Sequence, residues 1–83
     1  MSAVRKHSVA IRGHRTSYSL EDEFHDELER LAATRGVSLA AFVAEVDAAR
    51  GRATNLSSAL RLRVLEELRR ATRPDDGADP RRV

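Results

Sequence analysis

Three groups of residues in this chain have the types and spacing to do chemistry. The first is the histidines, His7, His14 and His25. Their spacings of seven and eleven residues put them on no common face of a helix or strand. The chain holds 0 cysteines, so no thiolate site exists and no metal-ligand pattern is expected. The second is the run of carboxylates Glu21, Asp22, Glu23, Asp26, Glu27 and Glu29. They line a solvated helix face with no base or orienting partner, and scattered serines, histidines and aspartates are not a triad without geometry. No enzyme activity and no cofactor are expected. The third is Arg15, Ser17 and Ser19, which alternate along one short segment. Their chemistry is directional hydrogen bonding: a two-pronged donor beside two short hydroxyls.

That segment, Arg15-Thr16-Ser17-Tyr18-Ser19-Leu20, is predicted to be a strand. At period two, Thr16, Tyr18 and Leu20 form a face bulky enough to bury, and Arg15, Ser17 and Ser19 form the opposite, polar one. Three helices are predicted after it. The first runs from about Glu21 to Thr34, with acids in its first turn and an apolar stripe of Phe24, Leu28, Leu31 and Ala32. Gly36 stands where a helix end needs a positive φ. The second opens at Ser38, a preferred N-cap, and carries Leu39, Phe42, Val43, Val46 and Ala49 on its stripe. The third starts near Asn55 and repeats Leu56, Leu60, Val64 and Leu68. Leu62 and Leu65 widen that stripe, which predicts packing against more than one neighbour.

Upstream, Val9 and Ile11 have odd parity, whereas Thr16, Tyr18 and Leu20 are even. The phase flips near Gly13. Either a bulge lies there, or Ser8–Ile11 is a second short strand that forms a hairpin. Residues 1–7 are polar and basic and read as disordered. From these features the chain divides into a basic arm over 1–13 with a potential extra strand, a core over 14–50, a third helix over 51–72 and a disordered tail over 73–83. The tail combines two prolines with three aspartates and a glycine.

Charge and length restrict the function further. The net charge is only +2 over 83 residues, but it is unevenly spread. Residues 1–20 hold Arg5, Lys6, Arg12 and Arg15 with no acid, whereas 21–35 are mostly acidic. A localised basic arm is the footprint of a polyanionic partner. No apolar run approaches the ~20 residues needed to cross a bilayer, and no apolar segment follows the basic N-terminus as a secretory signal would require. A cytoplasmic location is expected. A chain of this length buries a modest core, so oligomerisation is the expected support.

An isolated strand leaves both edges unpaired. The simplest remedy is the same strand from a second copy, antiparallel about a two-fold axis. Tyr18, Leu20, Phe24, Leu28, Leu31, Phe42, Val43 and Val46 are then the expected dimer core. A two-stranded ribbon fits the major groove of B-DNA, where arginine can donate two bonds to guanine and serine can bond several bases. Arg15, Ser17 and Ser19 are therefore the expected base-reading residues. The amide-rich opening at Ser38 can hold a backbone phosphate, and Arg5, Lys6, Arg12 and His14 are further expected phosphate contacts.

The order of a basic strand, Leu20, an acidic helix and then Arg35-Gly36-Val37-Ser38 opening a second helix resembles the ribbon-helix-helix family of repressors. The resemblance covers about residues 14–50. Gly13 to Glu21, together with Asn55-Leu56-Ser57-Ser58-Ala59-Leu60-Arg61, is similar to short bacterial members with an added third helix. It implies a mainly α fold with a short N-terminal β-strand, an intertwined homodimer, double-stranded DNA as partner and regulation of transcription, with repression by occupancy of an operator. It also implies a phosphate clamp at Val37, Ser38 and Leu39. Pairing of dimers into a tetramer through Leu62 and Leu65 is left open. The alternative is a protein-interaction module, such as an antitoxin-like partner that docks another protein through the third helix and tail. A membrane-surface role is disfavoured, because the third helix lacks tryptophan and carries Glu66 and Glu67.

Overall fold

The computed structural model describes residues 3–51 and 54–72. The tail over 73–83 lies outside the described residues. Two antiparallel strands, β1 (Val4–Ile11) and β2 (His14–Glu21), lead into three helices, α1 (Asp22–Thr34), α2 (Leu39–Ala49) and α3 (Leu56–Thr72). The expected class, a mainly helical ribbon-helix-helix unit with a third helix, is the one observed. Its ribbon, however, is a hairpin within one chain, and the strand expected at Arg15–Leu20 is one arm of it.

The parity flip is the signature of that hairpin. Ile11 faces His14 across the turn, Val9 faces Thr16 and His7 faces Tyr18. Paired residues share a face, so an odd-numbered set on β1 meets an even-numbered set on β2. Residues 4–7, expected to be disordered, belong to β1. The turn has two residues, Arg12 and Gly13, both left-handed at φ 51° and 81°. This is the turn geometry whose twist matches that of the strands. Glycine enters this region freely, but arginine is penalised because its Cβ crowds the following carbonyl. Arg12→Asn is therefore expected to raise stability by about 0.5–1 kcal/mol, seen as a higher urea midpoint at unchanged slope. An unchanged or lower midpoint would contradict the turn geometry.

The helix ends follow local rules. Ser38 is extended and its Oγ accepts from the Ala41 amide at 3.0 Å. Asn55 Oδ1 accepts from Ser58 at 2.8 Å. Gly36, at φ 71°, ends α1 in a left-handed turn. There the Gly36 amide donates to Ala33 O and the Val37 amide to Ala32 O, each at 3.0 Å. Glu21 precedes the first helical residue and α1 begins at Asp22.

The core lies between the inner face of the ribbon and the three helices. Phe42, Leu20, Leu28, Leu60, Val43 and Val64 are fully buried, each contributing about 1.5–3 kcal/mol of apolar transfer. Tyr18 is 3% exposed, so the predicted strand register holds. The eight residues assigned to a dimer core all lie in the interior of a single chain. Six of them are buried there, and Phe24 and Leu31 pack partly buried against them. β1 adds Ile11 and Val9 to this interior. Leu62 and Leu65 are 60% and 40% exposed, so the broad stripe of α3 is covered on one side only.

Candidate nucleic-acid interface

The outer face of the ribbon is built by alternation. Tyr18 and Leu20 are drawn into the core, which forces Arg15 and Ser17 outward, and both are exposed. Ser19 points the same way but is half-buried at the foot of the ribbon. There its amide donates to Ser57 Oγ at 2.9 Å, and its carbonyl accepts from Arg61 Nη2 at 3.4 Å. Thus α3 covers the free edge of β2 at Ser19 and leaves Arg15 and Ser17 clear of it. The one acid on this face is Glu21, opposite Val4. Its Oε1 accepts from Arg61 Nε at 3.1 Å. Its own backbone amide, and then Arg61, hold its carboxyl below the ordinary range.

The expected phosphate contacts differ in their surroundings. Arg5 lies on the inner-face register, opposite Leu20, and its Nε meets Asp22 Oδ1 at 3.1 Å. Lys6 is on the outer face and exposed, Arg12 is at the turn, and His14 is exposed beside it. Seven arginines, Arg5, Arg30, Arg35, Arg50, Arg61, Arg63 and Arg70, are tied to carboxylates. Among the described residues, Lys6, Arg12, Arg15 and Arg69 form no ion pair. Three of these four cations stand on the ribbon. At the opening of α2, the Val37 amide is already committed to Ala32 O. Of the three residues expected to form the clamp, Ser38 and Leu39 keep amides without a partner among the described residues, and the Ser38 hydroxyl is occupied as the cap.

Beneath the ribbon lies a cluster that sequence spacing did not reveal. His7 and His25 stack with ring centroids 3.8 Å apart and planes 6° from parallel. The Tyr18 hydroxyl is 3.1 Å from His25 Nε2. His25, in the first turn of α1, lies under β1, and only 13% of its side chain is exposed. β1 provides the cover. Among the described residues, no group of three histidine, cysteine, aspartate or glutamate side chains is placed to hold a metal ion.

His7 Nε2 is sealed from solvent and has no hydrogen-bond partner among the described residues. Burial, and then the neighbouring His25 ring, push its pKa down, while Asp22 and Glu29 act in the opposite sense. The folded state therefore disfavours the proton, and the unfolded chain takes it up near pH 6.5. Stability is fully present above that pH and falls as pH drops towards the lowered folded value. The thermal midpoint is expected to be lower at pH 5.5 than at pH 7.5, and His7→Phe is expected to flatten this fall. An equal fall in the variant would assign the effect to other groups.

The sequence matches the profile described as Ribbon-helix-helix domain over residues 4–68. The chain belongs to the ribbon-helix-helix family, whose members are in general DNA-binding regulators. No curated protein and no solved structure matches it significantly. No helix among the described residues is long and apolar enough to cross a membrane.

Proposed function

We propose that this protein is a sequence-specific DNA-binding transcriptional regulator that sets the outer face of its ribbon into the major groove and represses by occupying an operator. One observation carries the reading. Lys6, Arg12 and Arg15 lack carboxylate partners among the described residues, whereas most arginines elsewhere on the fold are paired. A cation held in an ion pair gives up that pairing before it can serve a polyanion, and an unpaired one does not. Arg15 reads a base edge, Ser17 bonds its neighbour, and Ser19 stands at the margin beside α3. Arg12, His14 and the Ser38 and Leu39 amides position the backbone.

The protein acts in the cytoplasm as a homodimer. The free edge of β2 at Arg15 and Ser17 offers backbone groups to a second copy, so the dimer sets two ribbons about a two-fold axis. Selection from a pool of random duplexes, combined with sedimentation of the enriched complex, tests both statements. A two-fold symmetric motif bound by two chains supports them. A pool that stays random after repeated selection sinks the DNA reading, and one chain per symmetric site sinks the dimer.

A second reading has its own support in Leu62 and Leu65, exposed side by side on α3 with Arg69 and Arg70 nearby. Such a patch suits a protein partner, as an antitoxin-like module would require. Loss of a co-purified partner in Leu62→Glu, with DNA binding retained, would separate the two surfaces.

A further inference from the structure

The outer face of the ribbon has two rows of side chains, and β1 supplies one of them. Lys6 lies directly opposite Ser19, Ser8 opposite Ser17, and Ala10 opposite Arg15. Lys6, Ser8 and Ala10 are all exposed. Side chains opposed across such a pair stand about 4.5–5.5 Å apart at Cβ. Ser8 and Ser17 thus form a pair of hydroxyls at the middle of the face.

The adjacent cations Arg5 and Lys6, which look alike in the sequence, have different tasks. Strand alternation turns Arg5 towards the inner face and onto Asp22 at 3.1 Å. It turns Lys6 outward, where it forms no ion pair among the described residues. Along the ribbon, Lys6 and Ala10 are four residues apart, about 14 Å at the usual strand rise. Arg15 is level with Ala10. The two free cations Lys6 and Arg15 therefore flank the serine pair at a separation of about four base-pair steps, taking the 3.4 Å repeat of each DNA strand. Ala10 is small beside the arginine, which leaves that side chain room and offers a methyl group to a thymine.

We infer that the recognition surface is the hairpin of a single chain, with Lys6 and Ser8 of β1 reading base edges together with Arg15 and Ser17 of β2. Lysine donates to guanine O6 and N7 as arginine does, though without its fixed fork. One chain then reads a segment with a guanine contact at each end and serine contacts between. This rests on the DNA-binding reading above and extends it to four residues in two strands.

The test uses the full chain, the enriched duplex and a scrambled duplex of the same composition, by fluorescence anisotropy. Wild type is compared with Lys6→Ala, Ser8→Ala and Arg15→Ala, with thermal melts confirming that these surface changes leave the fold intact. Lys6→Ala is expected to weaken the enriched duplex about ten- to hundredfold and the scrambled one far less. Ser8→Ala is expected to lose severalfold on the enriched duplex, and reselection with Lys6→Ala is expected to relax one position at one end of the motif. An equal loss on both duplexes, with a shallower salt slope, would mean that Lys6 touches phosphate, and the inference is wrong. Full affinity in both β1 variants, with Arg15→Ala impaired, overturns the inference and leaves the DNA reading standing. Wild type that discriminates no duplex overturns both.

Discussion

Phe42→Ala is expected to cost about 3–5 kcal/mol of unfolding free energy, the range for emptying a fully buried aromatic site. Phe42 is 0% exposed near the start of α2, within the cluster that holds Leu20, Leu28 and Leu60. Its ring also lies under two guanidiniums, Arg35 at 5.5 Å and Arg63 at 5.2 Å from the centroid. Both arginines donate to Glu45, at 2.9 and 3.0 Å. Alanine would therefore leave a cavity and remove two cation–π contacts together. Domains of this size have little stability to spare, so a large unfolded fraction is expected at 25 °C. Urea unfolding followed by circular dichroism measures it. Glu45→Gln, which changes an exposed carboxylate, is expected to cost far less than Phe42→Ala. A small loss for Phe42→Ala would mean that α2 is not anchored as described.

The second large effect concerns Arg15. On its preferred duplex, Arg15→Ala is expected to lose about 1–3 kcal/mol, mostly as discrimination between sequences. Arg69 makes the informative comparison. It too forms no ion pair among the described residues, but it sits on the last turn of α3, near Leu65. If any free cation sufficed, the two alanine variants would weaken binding alike. If the ribbon is the reading surface, Arg69→Ala leaves affinity unchanged. Equal losses in both variants, or an Arg15 effect that is the same on every sequence, would reduce Arg15 to a phosphate contact.

What could be read from the sequence divides by the distance over which the physics acts. The Ser38 and Asn55 caps and the Gly36 turn are local, since each depends on one residue and a backbone group three positions away. All three were legible. The facing of Tyr18 and Leu20 was legible because strand parity admits two answers and only one buries them. The second strand was half legible. Its parity was visible in Val9 and Ile11, but Arg12-Gly13 is a weak turn signal beside the asparagine-glycine pairs that strongly favour such turns. The His7–His25 stack was not legible. The rings lie on β1 and α1, and only the closed hairpin brings one over the other. The commitment of the Val37 amide to Ala32 was hidden for a related reason, because the same short loop closes one helix and opens the next. The clamp of Ser57 and Arg61 on Ser19 joins residues about forty positions apart, and nothing in their local pattern signals it.

The central claim is that the outer face of the hairpin is the surface that meets DNA. Amide chemical-shift mapping of the full chain, titrated with the enriched duplex, tests it most directly. The largest shifts are expected at Lys6, Ser8, Arg15 and Ser17, with smaller ones at Ser38 and Leu39 and none around Leu62 and Leu65. Shifts confined to the exposed face of α3, with the ribbon silent, would contradict the account and assign nucleic-acid contact, if any, to the third helix.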